Sequence, residues 1–109
     1  GYFEASIRIP AGRAFWPAFW LVPADSYTPP ELDVMESLGH RPEEIYSTLH
    51  WDYRDQKNGH LECKNVVADA TRRSVVYGVL WTPTEVVYYV DRVPITKIAA
   101  HPSMTRAMW

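Results

Sequence analysis

Ser74-Val75-Val76-Tyr77-Gly78-Val79-Leu80-Trp81-Thr82 is followed by Pro83-Thr84 and then by Glu85-Val86-Val87-Tyr88-Tyr89-Val90. Both runs are of strand length and rich in valine, tyrosine and tryptophan, side chains that fit a pleated surface better than a helix. A two-residue connection between such runs reads as a β-hairpin, and Asp91-Arg92 marks a second turn after it. This stretch therefore predicts consecutive antiparallel strands.

The rest of the chain reads the same way. Phe3, Ala5, Ile7 and Ile9 alternate with Tyr2, Glu4, Ser6 and Arg8 until Pro10 to Gly12 closes the run, as expected of a half-buried strand. Phe15 to Val22, Glu31 to Leu38, Ile45 to Trp51 and Leu61 to Val67 are further strand-length segments, separated by connections rich in Pro, Gly and Asp. No amphipathic helix, internal repeat, low-complexity tract or interdomain linker interrupts them. Short strands at regular spacing predict an all-β sandwich or barrel.

Composition narrows the function classes. Apolar residues make up 47% and charged residues 22%, near the averages of a folded domain, so one core is expected. Lysine and arginine number 11 against 13 aspartate and glutamate, a net charge of -2 with no basic stripe, which argues against nucleic acid as a partner. No apolar run approaches the roughly 18 residues of a membrane span. Cys63 is the only cysteine, which excludes a disulfide framework within the chain. His40, His50, His60 and His101 form no close pair at metal-ligand spacing, so no metal ligands are assigned.

The chemistry concentrates in Pro30-Glu31-Leu32-Asp33-Val34-Met35-Glu36, where three carboxylates share an otherwise apolar stretch. In a regular strand Glu31 and Asp33 face one side and Glu36, at an odd offset, faces the other. A β-bulge around Val34 and Met35 would turn Glu36 onto the face of the other two. Retaining glycosidases hold two carboxyl groups roughly 5 to 5.5 Å apart, one attacking the sugar and one protonating the leaving oxygen. Crowded like charges raise at least one pKa, and Asp33 could hold that balance by hydrogen bonding. The competing reading is that the three acids decorate the solvent side of an edge strand, and the pattern alone does not choose.

Glu31-Leu32-Asp33-Val34-Met35-Glu36 matches the E-x-D-x-x-E signature of family 16 glycoside hydrolases in its bulged, laminarinase-like form. Gly1-Tyr2-Phe3-Glu4-Ala5, Trp16-Pro17-Ala18-Phe19-Trp20-Leu21, Pro29-Pro30, Leu38-Gly39-His40, Thr48-Leu49-His50-Trp51, Leu80-Trp81-Thr82-Pro83 and Tyr88-Tyr89-Val90-Asp91 resemble that family's segments in the same order. The resemblance implies a concanavalin A-like jelly-roll β-sandwich whose concave face is a glucan cleft. By position it makes Glu31 the nucleophile, Glu36 the general acid and base, and Asp33 the assisting carboxylate. It implies an endo-β-1,3-glucanase or mixed-linkage β-glucanase that is secreted and monomeric, takes a polysaccharide substrate and requires no cofactor. Structural calcium occurs in some relatives, but no ligands for it are assignable here.

Trp16 and Trp20, four residues apart, present both rings to one face of an extended segment, where sugar rings can stack on them. With Trp81 and His50 they complete the substrate-binding set that the resemblance implies; core packing is the alternative for the tryptophans, and a structural hydrogen bond for His50. Trp51 and Trp109 are expected in the core or an interface.

Departures from the family are also legible. Ser74-Val75-Val76-Tyr77 lacks a frequent cleft histidine, and Leu80 stands where a glutamate is common. Arg92 follows Asp91 where the family often has glycine. A side chain at left-handed torsions costs about 1 to 2 kcal/mol, so another turn type is expected there. Relatives continue beyond both ends, so residues 1–109 are expected to be the central catalytic segment of one domain incomplete at both ends, with sheet edges and part of the core exposed. A non-catalytic β-glucan-binding module and an inactive fragment are the alternative functions.

Overall fold

The computed structural model describes residues 1–25, 28–55, 57, 59–105 and 108. Among these described residues eight strands form: β1 (Tyr2–Ile7), β2 (Ala18–Leu21), β3 (Glu31–Leu38), β4 (Arg41–His50), β5 (His60–Val66), β6 (Val75–Trp81), β7 (Glu85–Val90) and β8 (Val93–Ala99). A 3-10 turn, Pro102–Thr105, follows them. The strands pair antiparallel in two four-stranded sheets of order β1-β6-β7-β8 and β2-β3-β4-β5. The predicted all-β sandwich is the observed fold.

Between the sheets, Val75, Tyr77, Val79, Val86 and Tyr88 from one layer meet Leu32, Val34, Met35, Ile45 and Leu49 from the other. Alternation along β6 explains the division: Val75, Tyr77 and Val79 point inward, while Val76 and Leu80 stay partly exposed. Burying a side chain of this size contributes roughly 1.5 to 3 kcal/mol, so this shared layer is what holds the sheets together. Outside it, Val66 and Val93 remain 73% and 61% exposed on β5 and β8, the outer strands of their sheets. Exposed sheet edges were expected.

Three local expectations are corrected. Phe15 to Pro17 is not strand, because Phe15 O and Pro17 O accept from Gly39 N (2.9 Å) and Ser37 N (3.1 Å), which draws the segment into a loop before β2. Val93–Ala99 adds a strand that the pattern did not mark: β8 lies at an edge, where Pro94 removes no needed donor. Asp91 and Arg92 both take left-handed torsions (φ 50° and 65°), so the β7–β8 turn does adopt the primed geometry despite lacking glycine. Side chains offset the cost. Asp91 Oδ1 accepts from Val76 N (3.0 Å) and its Oδ2 pairs with Arg73 (2.8 Å), while Arg92 grips the Glu4 carboxylate with Nη2 at 2.6 Å.

Candidate active site

The outer face of the β2-β3-β4-β5 sheet carries the acids. Across β3 and β4, Glu31 opposes His50, Asp33 opposes Thr48 and Glu36 opposes Tyr46. Two residues on β3, Val34 and Met35, therefore lie opposite one on β4, Ser47, which puts the extra residue at the expected position of the bulge. Val34 and Met35 both turn into the core, 3% and 1% exposed, and the hydroxyl of Ser47 donates to Val34 O at 2.9 Å. That bond satisfies a carbonyl which the irregular ladder would otherwise strand.

The consequence is a groove of about 450 Å³ bordered by Glu31, Glu36, Trp16, Thr48, His50, Tyr53 and His60, with Asp52, Asp55 and Glu62 at its margin. It continues into a second hollow of about 310 Å³, where Trp16, Ala18 and Trp20 meet Glu31, Asp33 and Glu36. The three acids thus share one surface. Trp16 and Trp20 flank it with 69% and 49% of their surface exposed, open platforms rather than core residues.

Each glutamate has an aromatic donor. Trp16 Nε1 donates to Glu36 Oε1 at 2.9 Å, and Tyr53 Oη donates to Glu31 Oε2 at 2.5 Å. The loop bearing Trp16 is clamped to the β3–β4 turn by Gly12 N to Gly39 O and Gly39 N to Phe15 O, both 2.9 Å. Only glycine permits that approach, since a Cβ at Gly39 would lie 2.2 Å from Gly12 O.

Burial is the main influence on both glutamates and lifts their pKa values; the Asp33 charge adds to it, while Tyr53 on Glu31 and Trp16 on Glu36 pull back. Asp33 itself is 2% exposed. Its Oδ2 lies 3.0 Å from His50 Nε2, and the bond to Asp33 raises the histidine's pKa, favouring the imidazolium beneath the groove. His50 therefore both borders the groove and pairs with Asp33.

Trp81 is not brought to this groove. It ends β6 in the opposite sheet, packs against the core and borders a separate hollow with Gly1, Thr82, Pro83 and Met104. Trp51 packs against the core and stacks on His101 at 4.8 Å, as expected, and Trp109 lies outside the described residues. Tyr53 and His60 are groove residues that the sequence reading did not single out. His60 could have been found from the β4–β5 register, which sets it opposite His50; Tyr53 lies in a loop and carries no periodic signal.

Among the described residues, Glu31, Asp33 and His50 bring potential ligand atoms within 4.8 Å of one another. This mixed set, with His50 already paired to Asp33, is not the all-oxygen cage of six to eight ligands that calcium takes. No metal chemistry is assigned to it.

Comparison with known proteins now bears on this geometry. The sequence profile of glycosyl hydrolases family 16 matches residues 1–108. The chain is 38% identical over 109 residues to the endo-1,3-1,4-beta-glycanase ExsH of Rhizobium meliloti (strain 1021), covering all of this chain and 23% of that protein. It is 32% identical over 99 residues to the beta-glucanase of Rhodothermus marinus, covering 84% of this chain and 35% of that one. The solved laminarinase from Rhodothermus marinus superposes with a TM-score of 0.79 at 30% identity, over 91% of this chain and 43% of that one. The chain spans well under half the length of these relatives. A profile match reaching from the first strand to residue 108, on a sandwich shared with a solved laminarinase, makes the chain a member of glycosyl hydrolases family 16.

Proposed function

We propose that this chain is the central catalytic segment of a retaining endo-β-glucanase that hydrolyses β-1,3- or mixed-linkage β-1,3-1,4-glucans. The observation that carries this reading is the bulge at Val34-Met35, which gathers Glu31, Asp33 and Glu36 on one groove between exposed tryptophans. The names of the relatives, an endo-1,3-1,4-beta-glycanase and a beta-glucanase, support the substrate class.

In the first step the Glu31 carboxylate attacks the anomeric carbon. The glycosidic C–O bond breaks as Glu36 gives its proton to the leaving oxygen, and a glycosyl ester forms on Glu31. In the second, the Glu36 carboxylate takes a proton from water, the water oxygen bonds to the anomeric carbon, and Glu31 leaves as a carboxylate. Two inversions retain the configuration. Raised pKa values fit Glu36, which must hold its proton near neutrality; Glu31 must give its proton up, and the donor Tyr53 and the imidazolium of His50 favour that. Trp16 and Trp20 supply stacking surface for sugar rings. All these groups come from one chain, in keeping with a monomer, and a polymeric substrate too large to cross a membrane calls for a secreted protein. No helix among the described residues is long and apolar enough to cross one.

Reducing-sugar release from laminarin and from mixed-linkage glucan, compared between the protein and its Glu31→Gln variant, tests the proposal. Product is expected from the unaltered protein alone, with the β-anomer appearing first by proton NMR. Glucan binding without product in both proteins would instead make this a binding module.

A further inference from the structure

Tyr53 lies in the connection between β4 and β5, and its hydroxyl is held from two sides. It donates to Glu31 Oε2 at 2.5 Å and accepts from Thr28 Oγ1 at 2.8 Å, so the threonine proton occupies the phenol's lone pair and directs the phenol's own proton to the carboxylate. The loop beneath it is closed. Gly59 O accepts from Trp51 N (2.8 Å) and Asp52 N (2.9 Å), and Gly59 N donates to Asp55 O (2.7 Å). A Cβ at Gly59 would stand 1.8 Å from Asp52 O, so the turn exists only with glycine there. The His50 ring packs against Tyr53 with centroids 5.5 Å apart.

We propose that Tyr53 is a positioning residue for Glu31: it commits one carboxylate oxygen to a fixed hydrogen bond, leaves the other to attack the anomeric carbon, and keeps Glu31 ionised while Glu36 remains protonated. The inference rests on the glycosidase reading of Glu31. The titratable groups that line the groove with Glu31 are Asp33 and Glu36 on its own strand, His50 on β4, His60 and Glu62 on β5, and Asp52, Asp55 and Tyr53 itself in the loop. Burial and Asp33 push the carboxyl towards its neutral form, and the Tyr53 hydroxyl is the leading opposing influence. Burial and the bond to Glu31 push the phenol itself up to about 12, so it stays a donor across the working pH range. The same bond would strengthen again as Glu31 departs from the glycosyl ester and regains its charge.

The test is Tyr53→Phe, which keeps the ring and removes the hydroxyl, with Thr28→Val as a milder second variant. Carbon-13 NMR titration of the Glu31 carboxyl is read beside the pH profile of kcat/KM on laminarin. The Glu31 midpoint and the acidic limb should both move up in Tyr53→Phe and less far in Thr28→Val. In Tyr53→Phe kcat should fall roughly ten- to a hundred-fold, the loss of one hydrogen bond to a charged acceptor, with KM within about two-fold. An unmoved Glu31 midpoint, or a fall in kcat that merely follows a lowered Tm while the acidic limb stays in place, overturns the inference. A protein that cleaves no glucan but whose Glu31 midpoint moves up in Tyr53→Phe would sink the glucanase reading and leave the grip of Tyr53 on Glu31 supported.

Discussion

Deleting Val34 should leave Glu36 where it is. Glu36 pairs with Tyr46 and Asp33 with Thr48, so removing one of the two bulge residues turns β3 into a regular strand in which Met35 opposes Ser47 and both acids still face the groove. The cost falls on stability. A buried valine is lost, about 1.5 to 3 kcal/mol, and the Ser47 hydroxyl loses its acceptor, about 1 kcal/mol, while a restored ladder bond returns about 1 kcal/mol, for a net loss of roughly 1.5 to 3 kcal/mol. Deleting Val34 and Met35 together has the opposite logic, because Glu36 then directly follows Asp33 in a regular strand and turns towards the core. The general acid is then lost, and activity should fall on the order of 10² to 10⁴-fold. Thermal melts and laminarin hydrolysis separate the two variants: the Val34 deletion should melt earlier than the parent yet keep activity within about ten-fold, the misplacement of an otherwise intact group. A Val34 deletion variant that melts cooperatively but is as inactive as the double deletion would refute the idea that strand parity delivers Glu36.

Trp16→Phe removes the donor that lowers the pKa of Glu36, so the basic limb of the kcat/KM profile should move to higher pH with the acidic limb unmoved. Glu36→Gln tests the cost of the site to the fold. The folded pKa of Glu36 is raised, so its contribution to stability is full below the unfolded value and is lost as pH rises through the folded one. The inactive variant should therefore have a higher Tm than the parent at pH 7, and the gain should vanish near pH 3. Gly39→Ala should cost about 2 to 4 kcal/mol by chemical denaturation, from overpacking against Gly12 O and the two clamping hydrogen bonds, and should lower activity because Trp16 loses its seat. Asp91→Ala should lower stability by about 1 to 2 kcal/mol through the lost Val76 bond and the left-handed torsion, whereas Asp91→Asn should recover most of it.

What the sequence made legible was whatever repeats with period two. The hairpin around Pro83-Thr84, the half-buried first strand and the need for a bulge between Asp33 and Glu36 all follow from alternation, and the structure carries each of them. The loop contacts that bring aromatic donors to the two glutamates were not legible. Tyr53 reaches Glu31 because Gly59 folds the β4–β5 connection back on itself, and Trp16 reaches Glu36 because Gly39 lets another loop lie against the β3–β4 turn. Both depend on close backbone approaches between segments that carry no shared period. Trp81 shows the converse: its motif matched the family in order, but sheet membership is set by pairing with Val86, and order along the chain does not reveal which layer a strand joins. At Asp91-Arg92 the torsional penalty was foreseen, and the partners that offset it, Arg73, Val76 and Glu4, were too distant in the chain to be seen.

The pairing of β1 with β6 also bears on how the chain reaches this state. The Arg92 to Glu4 contact joins residues 88 apart, and β1 finds its hydrogen-bond partner only after the whole β2-β3-β4-β5 sheet has been traversed. Closing so large a loop is slow, and contacts this non-local are characteristic of β-proteins that fold in milliseconds to seconds. Among the described strands, β1 is thus the one that waits longest for its partner during synthesis. Until β6 emerges, the half-apolar strand of Phe3, Ala5 and Ile7 lacks the partner it has in this sheet, and a strand in that state is one that a chaperone would hold and that a crowded solution would aggregate.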